Sequence, residues 1–222
     1  MTQNEEIEHL LVEHFKDILS EPNINRAEDI AKISHHIPEK VTRDQNLALL
    51  QIISKDELEE AINKMAKNKA PGPYGFTIEF YQATWSFIGN DLLDLVEESR
   101  CSKRMHQGLN ATFLALIPKS GCSDELQGFS PISLCNVVYK IFATIIVNRL
   151  KPILLDIISL EQIGFVQGRQ ITNGIIVAQE VIHSLKSSRA LGMLIKLDLA
   201  KVFDWLSWLY LEGILKAYGF DQ

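Results

Sequence analysis

Cysteine is scarce in this chain. Cys101, Cys122 and Cys135 are an odd number with no close pairing, which argues against a disulfide framework and leaves no zinc-ligand spacing. Long apolar runs are missing as well. None approaches the roughly 20 residues that a bilayer-spanning helix needs, so no membrane partner is expected. The opening segment, MTQNEEIEHL, is acidic and lacks the basic-then-apolar layout of a secretion signal. An intracellular location is the default that follows. The chain has no internal repeat, no low-complexity tract and no pair of adjacent aspartates.

Positive charge is also in deficit, with 22 Lys and Arg against 28 Asp and Glu. Taken alone, that weighs against a nucleic-acid partner. The deficit is local, however. Residues 1–60 hold 6 basic and 14 acidic side chains, whereas residues 61–222 hold 16 and 14. Only the second part can face phosphates without a large repulsive field. A hydrophobic content of 46% with 23% charged residues fits a globular chain that buries a core.

Periodicity supplies the elements. Ile7, Leu10, Leu11, Phe15 and Ile18 recur at helical spacing. Ser54 and Glu57 form a capping box, Ile53 and Leu58 are spaced as a hydrophobic staple, and Leu58, Ile62 and Met65 continue the buried stripe. Pro71, Gly72, Pro73 and Gly75 stop that helix. Helical stretches follow near residues 77–87 and 90–99, then a strand, ATFLALI, that ends at Pro118. Asn136 is positioned to cap a long core helix carrying Val138, Ile141, Phe142, Ile145 and Ile146, with Pro152 as its limit. A further helix, capped by Thr172, is expected to turn Ile175, Ala178, Ile182 and Leu185 inward.

The stretch IKLDLAKVFDW reads as a strand over 193–199, with Met193, Ile195, Leu197 and Leu199 on one face and Lys196 and Asp198 on the other. Spacing alone leaves two readings of Asp198. It is either an exposed strand-end charge or a hard oxygen ligand for Mg²⁺, an ion held by carboxylates together with phosphates. Asp204 is expected to cap the next helix, and Gly219 to stop it.

In chain order, KNKAPGPYGF, LIPK, FSPISLCNVVYKIFATIIVNRLK, EQIGFVQGRQI and IKLDLAKVFDW resemble the reverse transcriptase domain of LINE-type (non-LTR) retrotransposons, most closely the plant members. The match runs from about residue 45 to the end. Residues 1–44 resemble the helical lead-in upstream of that domain, and 45–222 a partial domain of fingers and the start of the palm. The resemblance implies an α+β fold, helix-rich with a small antiparallel sheet, as in a right-hand polymerase. It implies an RNA template, a DNA primer, deoxynucleotide triphosphates, and Mg²⁺ or Mn²⁺ as cofactor. Nuclear location would follow if the chain keeps the family's role.

Residue by residue, Asp198 resembles the first metal-binding aspartate, and Phe203 the aromatic gate that excludes a ribose 2′ hydroxyl. Lys119 resembles the lysine that meets the triphosphate, and Arg169 lies where the family's chain approaches template and primer. Departures are visible too. Tyr74 replaces the aspartate of Pro-Gly-Pro-Asp-Gly, Ser130 an arginine expected to hold the triphosphate, and Thr172 a common aspartate. Trp205 replaces a smaller or basic residue. The family's aromatic-x-Asp-Asp hairpin has no counterpart here, so the expectation is a truncated domain, catalytically inactive as this chain. Without that hairpin, strand 193–199 would offer an open edge for self-association. A non-catalytic nucleic-acid- or partner-binding module is the alternative, and a metal hydrolase using Asp198 and Asp204 fits least.

Overall fold

The structure, a computed structural model, describes residues 3–21, 26–119, 125–189, 191–197 and 202–221. Its elements are α1 (Gln3–Leu19), α2 (Ala27–Ser34), α3 (Arg43–Leu49), α4 (Lys55–Lys64), α5 (Ile78–Ala83), α6 (Trp85–Ser102), β1 (Thr112–Pro118), β2 (Phe129–Cys135), α7 (Val137–Ile157), α8 (Ile171–Ser188), α9 (Val202–Trp205) and α10 (Trp208–Ala217). The architecture is the expected one: helix-rich, with one small antiparallel sheet, β1 against β2. Among the described residues no helix is long and apolar enough to cross a membrane.

The chain divides into two compact units. One is Leu47–Leu150; the other joins Met1–Asn46 to Lys151–Gln222. The core of Leu47–Leu150 is built by α4, α5, α6 and the first half of α7. Leu58, Ala61, Ile62, Ile78, Tyr81, Leu92, Val96, Val138, Ile141, Phe142 and Ile145 are buried there together. At roughly 1.5–3 kcal/mol for each large side chain removed from water, this cluster dominates the unit's stability. Ser54 caps α4 as its spacing predicts, accepting the Glu57 N–H at 3.1 Å. The Glu57 carboxylate meets the fork of Arg149 at 2.7 Å on both oxygens. The same guanidinium donates to the carbonyls of Leu49 and Gln51. One arginine near the end of the core helix thus fastens the chain leading into α4.

In the other unit, the Gly219 carbonyl accepts from Asn46 Nδ2 at 2.7 Å, and the Asp221 N–H donates back to Asn46 Oδ1 at 3.1 Å. Lys40 and Val41 donate their backbone N–H groups to the Tyr218 carbonyl. Gly219, at φ +95°, ends α10 as expected: Gly219 N–H reaches Lys216 O, and Phe220 N–H reaches Leu215 O, the double bond of a Schellman stop.

Several expectations are corrected. Helix α7 runs through Pro152 instead of ending there. Proline inside a helix costs about 3 kcal/mol, and Ile153 and Ile157, both buried, offset that loss on the far side. Ile146 is 56% exposed, so it is not a core residue. Helix α8 has Gln170 as its N-cap, without a side-chain bond, and buries none of its residues; Thr172 lies inside its first turn. Residues 191–197 form no strand and are exposed. A lone strand has no ladder to hold it, and among the described residues β1 and β2 pair only with each other. Helix α10 is capped by Ser207, whose hydroxyl accepts the Tyr210 N–H, so Asp204 does not start it.

Candidate functional site

The candidate site is built on the β1–β2 hairpin. Its register pairs Thr112 with Cys135 at the root and Pro118 with Phe129 at the other end. One step further, the Lys119 N–H donates to the Gly128 carbonyl at 2.8 Å, extending the ladder. Ser130 lies opposite Ile117. Since alternate residues of a strand share a face, Ile117, Lys119 and Ser130 fall on the same face, with Lys119 and Ser130 as diagonal neighbours. The lysine singled out by the sequence and the serine that departs from the family pattern therefore belong to one surface.

The root of the hairpin is held by a loop and a buried amide. Gly72, at φ +78°, and Gly75, at φ +75°, bracket Pro73 and Tyr74. The Gly75 N–H closes the turn onto the Gly72 carbonyl at 3.1 Å. A Cβ at Gly72 would lie 2.5–2.6 Å from the backbone of Cys135 and Asn136, so only glycine lets this loop touch the end of β2. Lys140 Nζ donates to the Ala70 carbonyl at 2.7 Å and ties the loop to α7. Tyr74, standing where the family has aspartate, lies with its hydroxyl over Gly108; a methyl group there would collide with it.

Asn136 was expected to cap α7. Its backbone carbonyl does accept the Lys140 N–H, but its side chain points elsewhere. Oδ1 accepts the Tyr74 N–H at 2.9 Å, and Nδ2 faces the carbonyls of Gly108, Leu109 and Ala111 at 3.1–3.2 Å. The residue is 1% exposed. Sequence reasoning missed this role because all its partners are more than twenty residues away in sequence. The turn signals around those partners, Pro71-Gly72-Pro73 and Gly108, mark tight turns but not the side chain that fills them.

Of the other expected site residues, two belong to the second unit and one lies outside the described residues. Arg169 belongs to the second unit, where its guanidinium donates to the carbonyls of Ile158, Ser159 and Gln162 at 2.5–3.0 Å. It shapes the loop between α7 and α8. Phe203 sits in the short helix α9 of the same unit. Asp198 lies outside the described residues. Among those that are described, no three His, Cys, Asp or Glu side chains are grouped to hold a metal ion.

One carboxylate of the Leu47–Leu150 unit is tuned. The Arg100 guanidinium bonded to Glu97 holds its carboxyl below the usual carboxylate range, helped by the Ile53 N–H at 2.6 Å.

Helix-rich with a small antiparallel sheet, the fold is consistent with part of a right-hand polymerase. Residues 117–222 match the family described as reverse transcriptase (RNA-dependent DNA polymerase). Among curated proteins, the chain is 33% identical over 168 residues to the Transposon TX1 uncharacterized 149 kDa protein of Xenopus laevis, covering 76% of this chain and 13% of that protein. It is 23% identical over 160 residues to the Retrovirus-related Pol polyprotein from type-1 retrotransposable element R1 of Bradysia coprophila, covering 71% of this chain and 16% of that protein. The chain thus spans a small part of the relatives it matches. It carries a reverse transcriptase domain of the LINE (non-LTR retrotransposon) type, a family that implies a divalent metal, a nucleic-acid template and deoxynucleotide substrates.

Proposed function

We propose that this chain is the nucleotide-engaging part of an RNA-directed DNA polymerase of a LINE-type retrotransposon. The observation that carries the reading is the family match over 117–222, a span containing Lys119, Arg169, Asp198 and Phe203. On this reading, RNA template and DNA primer are its macromolecular partners. Lys119 meets the incoming triphosphate, Phe203 walls off the ribose 2′ position, and Arg169 keeps its loop in shape for template and primer. Asp198 is one carboxylate of a Mg²⁺ or Mn²⁺ site. Ser130 supplies no charged fork, so Lys119 holds the triphosphate weakly, as a point charge. The exposed segment 191–197 is the surface through which the chain self-associates, a property read by sedimentation at rising concentration.

With no Asp-Asp pair in its 222 residues, the chain does not by itself extend a primer. Missing metal-site carboxylates cost several kcal/mol of transition-state stabilisation, enough to suppress turnover by orders of magnitude. The test titrates the chain, Lys119→Ala and Ser130→Arg with deoxyadenosine triphosphate and Mg²⁺ in a calorimeter, beside a primer-extension assay on an RNA template. Ser130→Arg is expected to tighten binding by about 1–2 kcal/mol, the worth of a charge-assisted contact. Equal affinity in all three proteins defeats the nucleotide reading. Incorporation that vanishes in Asp198→Ala defeats the expectation of inactivity.

A further inference from the structure

We propose that Asn136 is a positioning residue for the triphosphate site: it fixes the pairing register of the β1–β2 hairpin and so keeps Lys119 and Ser130 on one face. This role rests on the reading of Lys119 as the triphosphate contact. The hairpin is weak by itself. Two strands alone are marginal in water, and these two expose Phe113, Ile117 and Ile132 on one face and Leu114 on the other. With apolar residues on both faces, burial does not select one register over the next. A slip by one residue turns every side chain of a strand to the opposite face. Lys119 would then point away from Ser130.

Register has to be set at the ends, and Asn136 sits at the root of both strands. It directly follows Cys135, the last residue of β2, and its Nδ2 reaches the carbonyl of Ala111, the residue before β1 begins. Its other bonds reach Gly108, Leu109 and Tyr74. The amide orientation is forced: the Tyr74 N–H requires an acceptor and the three carbonyls require a donor. A carboxylate satisfies only the Tyr74 N–H and an apolar side chain none of that set, and each buried group left without a partner is costly. Gly72 closes the arrangement from the other side, since its contact with Cys135 and Asn136 admits no side chain. Asn136 touches no part of the triphosphate site. It acts at the far end of a seven-residue ladder, roughly 20 Å from Lys119 at the usual rise per residue.

The experiment compares the unmodified chain, Asn136→Ser, and Ile62→Val, a core change serving as a stability control. Each is titrated with deoxyadenosine triphosphate and Mg²⁺ by calorimetry and followed by hydrogen exchange. Asn136→Ser should weaken binding about tenfold, the scale of loss that a small displacement of a binding group produces. It should also speed exchange of the Lys119 amide. Ile62→Val should do neither, even where its melting temperature falls as far. Unchanged binding in Asn136→Ser, or an equal loss in Ile62→Val, overturns the proposal while leaving the nucleotide reading intact. No binding by the unmodified chain overturns the nucleotide reading, and this inference with it. Where Asn136→Ser does not fold, native-state exchange of the unmodified chain decides: the Tyr74 and Lys119 amides should open together. A Tyr74 amide that opens freely while Lys119 stays protected ends the idea.

Discussion

At the scale of single residues, the informative positions are those where a side chain and a missing side chain meet. Tyr74 departs from its family's aspartate, and Gly108 leaves room for its hydroxyl. Gly108→Ala is therefore expected to destabilise the chain by about 1 kcal/mol, a mild overpacking cost because the tyrosine's far end can shift. In a Tyr74→Phe background the same change should cost close to nothing, and urea denaturation of the four proteins checks this coupling. Glu97 gives a pH dependence of definite sign. Its carboxyl is held below the usual range by Arg100 and by the Ile53 N–H, so the folded state binds a proton less readily than the unfolded chain. That stability is fully present above the unfolded carboxylate value of about 4.3 and is lost as pH falls through the lower folded value. Thermal melts between pH 7 and pH 3 should show a shallower acid limb in Glu97→Gln, which has no such proton to take up. The pair Glu97–Arg100, three residues apart on α6, could be read locally; Tyr74 with Gly108, and Glu97 with Ile53, could not, being pairs made by folding alone.

At the scale of elements, local chemistry was legible wherever an element is decided by its own ends. Ser54 starts α4 and Gly219 stops α10, as their side chains dictate. Elements decided by distant packing were misread. The Glu57 of the capping box gives its carboxylate to Arg149, far along the chain. Pro152 reads as a boundary, yet buried isoleucines on both sides carry α7 through it. The alternation over 193–199 reads as a strand, but a strand is a property of a pair. Asp204 and Ser207 are both good caps by type; Ser207 wins because the helix begins at Trp208. Its hydroxyl is also bonded to the Glu21 carboxylate and is buried. Ser207→Ala is expected to cost about 1–2 kcal/mol, the upper range for a cap, measured by chemical denaturation. A change within a few tenths of a kcal/mol would mean that α10 is held by its packing on α2 alone.

At the scale of the whole molecule, the family and the general architecture were legible because five motifs in fixed order carry them. The division into units was not, because nothing local announces that 151–222 returns to the segment before residue 47. That return is made by a few bonds, chiefly Asn46 to Gly219 and Asp221, and Lys40 and Val41 to Tyr218. They order events during synthesis. A nascent chain emerging from the ribosome can complete the Leu47–Leu150 unit while residues 151–222 are still untranslated, since domains fold as units and N-terminal ones first. Residues 1–46 must instead wait, acidic and without their closing partners, until residues 218–221 have been made. In refolding, pulse-labelled exchange should protect Leu58, Ile62 and Ile141 before Val41 and Asp221. Simultaneous protection of both sets would mean that the chain folds as one cooperative body. Residues 40–46 are thus made before the Leu47–Leu150 unit and find their place after it.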